Sequence, residues 1–133
     1  SEKGWLNKRE VNQSGKPNKI LYGLTLAGRE ALAKWVYGPT KMQPTKDELL
    51  LKLYNLNEEN VQHLIGEISQ RREDVMKRLY LYEAIRRRHY AEPKELPVRH
   101  KGVYLALESG IHQGEQFLAW CDEALELLAT VEP

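Results

Sequence analysis

The chain has 133 residues, of which 41% are hydrophobic and 29% are charged. This balance is typical of a folded globular domain and excludes a disordered chain. No apolar run approaches the roughly 20 residues that a membrane-spanning helix needs, and the polar N-terminus lacks the apolar stretch of a secretory signal. The single cysteine, Cys121, excludes an internal disulfide and a cysteine-based zinc finger, and it favours a cytoplasmic protein.

The charges are unevenly distributed, although the net charge is only +1. Residues 1–46 carry nine Lys/Arg and three Asp/Glu, whereas residues 47–133 carry 11 Lys/Arg and 16 Asp/Glu. A basic front part favours contact with a polyanion such as nucleic acid. Chance and solvation are the alternative explanation.

The first 38 residues predict a β-hairpin followed by a helix. Residues 4–13 alternate imperfectly as a strand, residues 14–18 are turn-forming with Gly15 and Pro17, and residues 19–23 predict the returning strand. Thr25 is a favourable N-cap for a helix from about Leu26 to Tyr37, which Gly38 and Pro39 end.

The remainder predicts helices only. Thr45 and Glu48 have the spacing of a capping box before a short helix over about 46–54. Asn57 is the predicted cap of a long helix to about Tyr90, and a third helix is predicted from about Val98 to Thr130. The two long helices, joined by a proline-bounded turn, predict an antiparallel hairpin.

Both long helices carry apolar stripes that are too wide for one hairpin to bury, which predicts a symmetric homodimer. We expect the contact to use residues of both stripes and two glycines that permit close helix approach: Val61, Ile65, Ile68, Leu107, Gly110, Ile111, Gly114, Leu118 and Leu125. Contact between a ligand and the two glycines is the alternative reason for their position in a helix.

No motif for catalysis, phosphate binding or metal binding stands out, so we expect no enzyme, no cofactor and no metal. Glu108, His112 and Glu115 share a helix face but lack the further carboxylates of a di-iron site. The basic run 86–89 ends the second helix, where cations complement the helix dipole. Contact with DNA phosphates or an acidic partner is its other interpretation.

Several segments carry a family resemblance. Gly4-Trp5-Leu6, Gly15-Lys16-Pro17 with Lys19, Tyr22-Gly23-Leu24-Thr25 and Gly28-Arg29-Glu30-Ala31-Leu32 occur in the order of the wing and following helix of PadR-like transcriptional regulators. Residues 48–128, with Leu107-Glu108-Ser109-Gly110-Ile111 and Trp120-Cys121-Asp122-Glu123-Ala124-Leu125, resemble the virulence-activator-like helical domain of that family.

This resemblance implies a mainly α-helical fold. It comprises a wing hairpin and helix over residues 1–38 (a partial winged helix), a linker over 39–46, and over 47–133 a C-terminal antiparallel long-helix hairpin that dimerises. The family has helices before the wing, including the recognition helix, so we expect the chain to be a fragment of a regulator.

The resemblance also implies a function: a cytoplasmic homodimer that binds operator DNA as a repressor and responds to a small aromatic effector. Arg9, Lys16 and Lys19 are the predicted DNA-phosphate contacts of the wing. Trp35 and Trp120 are the predicted effector contacts, chosen for ring size and stacking. A helical protein-interaction or ligand-sensing module without a DNA role is the alternative function.

Overall fold

A computed structural model describes residues 4–11, 19–43 and 47–131 of the chain. The chain divides into two compact units, Ser1–Thr45 and Lys46–Pro133, which we call the wing unit and the helical unit. The predicted fold class, mainly helical with one β-hairpin, is confirmed. None of the helices in the described ranges combines the length and apolar character that crossing a membrane requires.

The wing unit contains an antiparallel pair of strands, β1 (Leu6–Val11) and β2 (Lys19–Leu24). The register pairs Leu6 with Leu24 at one end and Val11 with Lys19 at the other. The predicted turn at residues 14–18, which includes Lys16, lies outside the described residues.

Helix α1 (Leu26–Tyr37) follows β2 directly and has the predicted bounds. The Thr25 side chain is its N-cap, because the hydroxyl oxygen accepts a hydrogen bond from the Gly28 N–H at 3.0 Å. The same hydroxyl donates to the Gly4 carbonyl oxygen at 2.6 Å, and the Thr25 N–H donates to the Trp5 carbonyl oxygen at 3.0 Å. The start of α1 is thereby attached to the residues that precede β1.

The helical unit begins with the short helix α2 (Glu48–Leu53), whose cap differs from the prediction. Asp47 is the N-cap, since its carboxylate accepts from the Leu49 N–H at 3.0 Å. Thr45, the predicted cap, lies outside the described residues. The longer carboxylate side chain directly before the helix reaches the first free N–H groups without a capping box.

Helix α3 (Val61–His89) begins later than predicted. Asn57 caps the turn before it instead, where its side-chain oxygen accepts from the N–H groups of Glu59 and Asn60, both at 2.9 Å. A short 3-10 turn at Pro93–Glu95 then leads to helix α4 (Val98–Leu128). Helices α3 and α4 form the predicted hairpin, with α2 packed against α3.

The core of the helical unit lies between these helices in two clusters. One cluster joins α2 to the open end of the hairpin and contains Leu49, Val61, Leu64, Ile68, Cys121 and Leu128. The other lies further toward the turn and contains Val75, Leu79 and Ile111. The buried parts of both stripes are thus covered by helices of the same chain.

Candidate nucleic-acid interface

The described strands of the β-hairpin carry three basic residues, Lys8, Arg9 and Lys19. Arg9 on β1 is exposed and pairs with Leu21, and Lys19 on β2 pairs with Val11. Positions 9 and 19 therefore belong to neighbouring cross-strand pairs on the same face of the ladder. Lys8, also exposed, pairs with Tyr22 on the opposite face. Lys16 lies outside the described residues, as does the surrounding loop.

Two glycines of the wing unit lie at close approaches. A Cβ on Gly28 would overlap the Trp5 carbonyl oxygen, so α1 can approach the backbone before β1 only with glycine at this position. A Cβ on Gly23 would lie 2.7 Å from the Asn7 side-chain oxygen across the strand pair. Both glycines belong to the motifs that carry the family resemblance.

An apolar groove of about 440 Å³ opens between the hairpin and α1 within the wing unit. Its lining is almost entirely apolar and consists of Trp5, Leu6, Leu24, Gly28, Ala31, Leu32 and Trp35. Trp35, one of the two predicted effector contacts, is 76% exposed here. Its ring is therefore not a core residue of the wing unit.

Trp120, the other predicted effector contact, lies in the helical unit and has a different environment. Its ring is half-buried and lies 5.5 Å from the Phe117 ring, centroid to centroid. It also lines a separate groove of about 250 Å³ with residues of all three helices and the α2–α3 turn: Leu53, Leu56, Ile68, Glu123, Ala124, Leu127 and Leu128. Packing against the core of the helical unit therefore buries part of the Trp120 ring.

Four of the nine residues predicted for dimerisation are buried inside one chain. Val61, Ile68, Ile111 and Gly114 have little or no exposed surface in one chain, and their role in dimerisation stays a prediction. The physical reason for this burial is close packing within the hairpin: a Cβ on Gly114 would lie 2.8 Å from Cδ2 of Leu79. Gly110 faces Tyr82 of the same chain, with its hypothetical Cβ 3.2 Å from the ring.

The other five, Ile65, Leu107, Gly110, Leu118 and Leu125, are half-buried, and their role in dimerisation stays a prediction.

More exposed apolar residues occur elsewhere on the hairpin. Leu105 is 65% exposed and Leu127 is 66% exposed, and their separation of 22 positions corresponds to about six helical turns. Ser109, Gln116 and Ala119 are exposed at positions on the same side of α4. This outer face of α4, which also includes the exposed His112 and Glu123, is opposite the side that carries Ile111 and Gly114.

Ion pairs connect the three helices of the helical unit. The Arg71 guanidinium donates two hydrogen bonds to the Asp47 carboxylate, at 2.5 and 3.1 Å, and lies 5.8 Å from the centre of the Phe117 ring. These hydrogen bonds hold the pKa of Asp47 below its ordinary value, with help from the Leu49 N–H. An aspartate directly before a helix is a recognised N-cap signal, so the Asp47 cap could have been predicted from the sequence. Nothing in the sequence indicates its pairing with Arg71, 24 positions away.

Two further pairs join α3 to α4. Arg72 donates to Asp122 at 2.7 Å, and Arg86 donates to Glu108 at 2.7 Å. The hydrogen bond from Arg86 lowers the pKa of Glu108, and a contact with His112 at 3.1 Å adds to this. Glu108 and His112 are thus occupied by structural pairing. Among the described residues there is no group of three metal-ligating side chains.

Comparison with known proteins gives the family. The model of the family described as "Virulence activator alpha C-term" matches residues 45–129, more than half of the chain. The chain is 29% identical over 136 residues to the probable transcriptional regulator Rv1176c of Mycobacterium tuberculosis, covering 93% of this chain and 71% of that protein.

Solved structures agree on the fold. The virulence activator AphA of Vibrio cholerae is similar over 98% of this chain and 72% of its own, with a TM-score of 0.76 and 24% identity. PadR of Bacillus subtilis in complex with operator DNA matches 96% of this chain and 72% of its own, with a TM-score of 0.65 and 20% identity. The same PadR has been solved with p-coumaric acid, and that structure matches 96% of this chain and 71% of its own, with a TM-score of 0.63 and 19% identity.

These similarities confirm the resemblance that the wing and helix motifs indicated. The chain belongs to the family described as "Virulence activator alpha C-term".

Proposed function

We propose that the chain acts in a DNA-binding transcriptional regulator that represses transcription as a homodimer. One observation carries this: a basic β-hairpin, closed onto a helix by the Thr25 and Gly28 contacts, occurs in one chain with the family's helical domain. The relative from Mycobacterium tuberculosis is named a probable transcriptional regulator, which supports a regulator rather than an enzyme. Such a regulator works on the chromosome, in the cytoplasm.

The DNA contact in this proposal is made by the wing. Arg9, Lys16 and Lys19 bind phosphate oxygens, which fixes the position of the protein on DNA without specifying the base sequence. The exposure of Arg9 and the shared ladder face of positions 9 and 19 support this role. The similar fold of PadR, which was solved with operator DNA, also supports it.

The homodimer in this proposal uses the outer face of α4. Leu105 and Leu127 lose their water contact when a second copy covers this face. Ser109, Gln116 and Ala119 between them are uncharged, whereas the exposed Glu123 on the same face has to keep its water or find a partner in the contact. Leu118 and Leu125 lie on the other side of α4, where they pack against the core clusters of the same chain, so they do not belong to this face.

The effector in this proposal is a small planar aromatic molecule, as in the p-coumaric acid complex of PadR. The groove beside Trp35 has a volume in the range of small-ligand sites and an apolar lining. Titration with phenolic acids while Trp fluorescence is followed tests this. We expect saturable quenching that Trp35→Leu abolishes and Trp120→Leu leaves in place.

The function itself is tested with the full-length product of the gene and a duplex from the region upstream of that gene. We expect a protected segment in nuclease footprinting and lower expression of a reporter placed behind this segment. Absence of any protected segment, with a folded protein, would contradict a regulator and favour an interaction module without a DNA role.

A further inference from the structure

The turn of the helical hairpin is strongly basic. Residues 86–101, which we call the hairpin tip, contain six Lys/Arg and two Asp/Glu, a net charge of +4 with His neutral. The bases are Arg86, Arg87, Arg88, Lys94, Arg99 and Lys101. All of them except Arg86 are exposed, and Arg86 is the one base of these six, all within the described residues, that forms an ion pair.

Favourable interaction with a helix dipole explains the positions of only some of these basic residues. Arg86, Arg87 and Arg88 lie in the last turn of α3, where positive charge is favourable. Arg99 and Lys101, however, lie in the first turns of α4, which has no acidic residue in its first turn and no side-chain N-cap. Positive charge at a helix N-terminus opposes the helix dipole. The helix dipole therefore gives no reason for these two bases.

The rest of the helical unit has the opposite charge. Residues 47–85 carry five Lys/Arg and eight Asp/Glu, and residues 102–133 carry six Asp/Glu and no Lys or Arg. A polyanion is therefore repelled by the body of the hairpin and attracted only at its tip. Helix α3 has 29 residues and a length of about 43 Å, so the tip is far from α2 at the other end of the unit.

The tip also has a shape and composition suited to phosphate groups. A shallow groove of about 380 Å³ is lined by Arg86, Arg87, Tyr90, Ala91, Pro93 and Tyr104. The Tyr90 and Tyr104 rings lie 6.4 Å apart, centroid to centroid. Arginine is the side chain that best matches the geometry of phosphate oxygens, and four of the six bases are arginines.

We propose that the hairpin tip is a second DNA-binding surface, which contacts phosphates independently of base sequence and separately from the wing. This inference rests on the proposed function, because DNA held by the wing raises the local concentration of phosphate around the tip. Because the wing already holds DNA, a DNA duplex is a better candidate for the partner of the tip than an acidic protein segment. The phosphates can belong to DNA that flanks the operator or to a second duplex.

The test compares two charge-matched double variants of the full-length gene product. The tip variant is Arg88→Gln with Arg99→Gln, and the control is Lys77→Gln with Arg78→Gln, two exposed bases on the body of α3. Circular dichroism confirms that both are folded. Fluorescence anisotropy then gives the affinity for 20-bp and 60-bp duplexes from the upstream region, and for a random 60-bp duplex, over a range of salt concentrations.

We expect the tip variant to bind both 60-bp duplexes at least about five-fold more weakly at low salt, with a log–log salt slope reduced by about two, while the control stays within two-fold of wild type. A defect confined to the 60-bp duplexes assigns the contact to flanking DNA. An equal defect on the 20-bp duplex that depends on duplex concentration assigns it to a second duplex. Either result supports the proposal.

Equal affinities of the tip variant and the control would overturn it. So would an unchanged DNA affinity combined with lost binding to poly-glutamate, which would identify an acidic protein as the partner. A wing variant, Arg9→Gln with Lys19→Gln, is measured in parallel. If the wing variant binds as wild type and the tip variant does not, the wing role fails and the tip proposal stands; the reverse pattern overturns only the tip proposal.

Discussion

The carbonyl oxygen of Trp5 occupies the space in which a Cβ atom on Gly28 would have to lie. The contact joins the residue before β1 to the first turn of α1, and the Thr25 side chain bonds to both sides of it. The shape of the wing unit therefore depends on a glycine that no local turn requires.

Replacing Gly28 with Ala should destabilise the wing unit. The added methyl group forces α1 away from Trp5, which costs about 1–3 kcal/mol by overpacking and outweighs the better helix propensity of alanine. Urea unfolding followed by Trp fluorescence measures the loss. Ala27→Ser, at the exposed neighbouring position, should stay within about 0.5 kcal/mol of wild type. An unchanged midpoint for Gly28→Ala would show that α1 can move without cost.

A second glycine tests the packing of the helical hairpin. Gly114→Ala places a methyl group against Leu79, whereas Gly66→Ala, in the same unit, meets nothing within 4 Å. We expect Gly66→Ala to raise the free energy of unfolding by about 0.5–1 kcal/mol. Gly114→Ala should instead lower it, by about 1–3 kcal/mol relative to the Gly66 variant.

The contact between Gly114 and Leu79 can be isolated by a double-mutant cycle. In a Leu79→Ala background the space beside Gly114 is open, so Gly114→Ala should lose its penalty and the two changes should be non-additive by about 0.5–3 kcal/mol. Additive effects would mean that Gly114 packs against something other than Leu79 of its own chain.

The Asp47–Arg71 pair predicts how acid affects the attachment of α2. Asparagine is as good an N-cap as aspartate, so Asp47→Asn removes only the ion pair and should cost less than about 1 kcal/mol at pH 7. Asp47→Ala also removes the cap and should cost about 1 kcal/mol more. Asp74→Asn, at an exposed carboxylate on α3 that accepts a hydrogen bond from Gln70 and forms no ion pair within the described residues, is the control.

The pH dependence of the Asp47 variant follows from its lowered pKa. A carboxylate whose pKa is lower in the folded state stabilises the fold above its unfolded value, and this contribution disappears as the pH falls through the folded pKa. The difference in unfolding free energy between wild type and Asp47→Asn should therefore be constant above pH 5 and vanish in strong acid. A difference that grows with acid would contradict the direction of the shift.

Two variants distinguish the effect of a substitution on dimerisation from its effect on folding. Ile111→Asp puts a carboxylate at a fully buried position and should unfold the chain whether or not it dimerises. Leu105→Gln with Leu127→Gln changes only exposed positions and should leave the helical content intact. Light scattering should then show a dimer for wild type and a monomer for the double variant. A folded dimer in the double variant would exclude the outer face of α4 as the contact.

The local structure of the wing unit could be predicted because its signals are local. Thr25 before an apolar helix, Gly38 followed by Pro39 after it, and a turn-forming segment between two short strands each depend on neighbours in sequence. The helix from Leu26 to Tyr37 was predicted residue for residue. By contrast, nothing near Gly28 in the sequence indicates that Trp5 lies above it.

The burial of the helical stripes could not be predicted from their width alone. Helix α2 covers the open end of the hairpin through Leu49, and Gly110 and Gly114 let α3 approach α4 closely, so Ile68 and Ile111 are enclosed by one chain. A wide apolar stripe indicates that a helix packs against several other helices. The width of the stripe does not indicate whether these helices belong to the same chain or to a second copy. Leu105 and Leu127, which lie beside the main stripe and widen its apolar face, stay exposed in one chain.

The salt dependence of operator binding tests the wing most directly. The full-length gene product and its Arg9→Ala/Lys16→Ala/Lys19→Ala variant are titrated with the upstream duplex, and with a random duplex, between 50 and about 300 mM salt. Because each phosphate contact contributes about 0.9 to the log–log slope, we expect the variant's slope to be shallower by about three and its affinity to fall equally on both duplexes. Identical slopes for the two proteins would contradict a phosphate-binding wing.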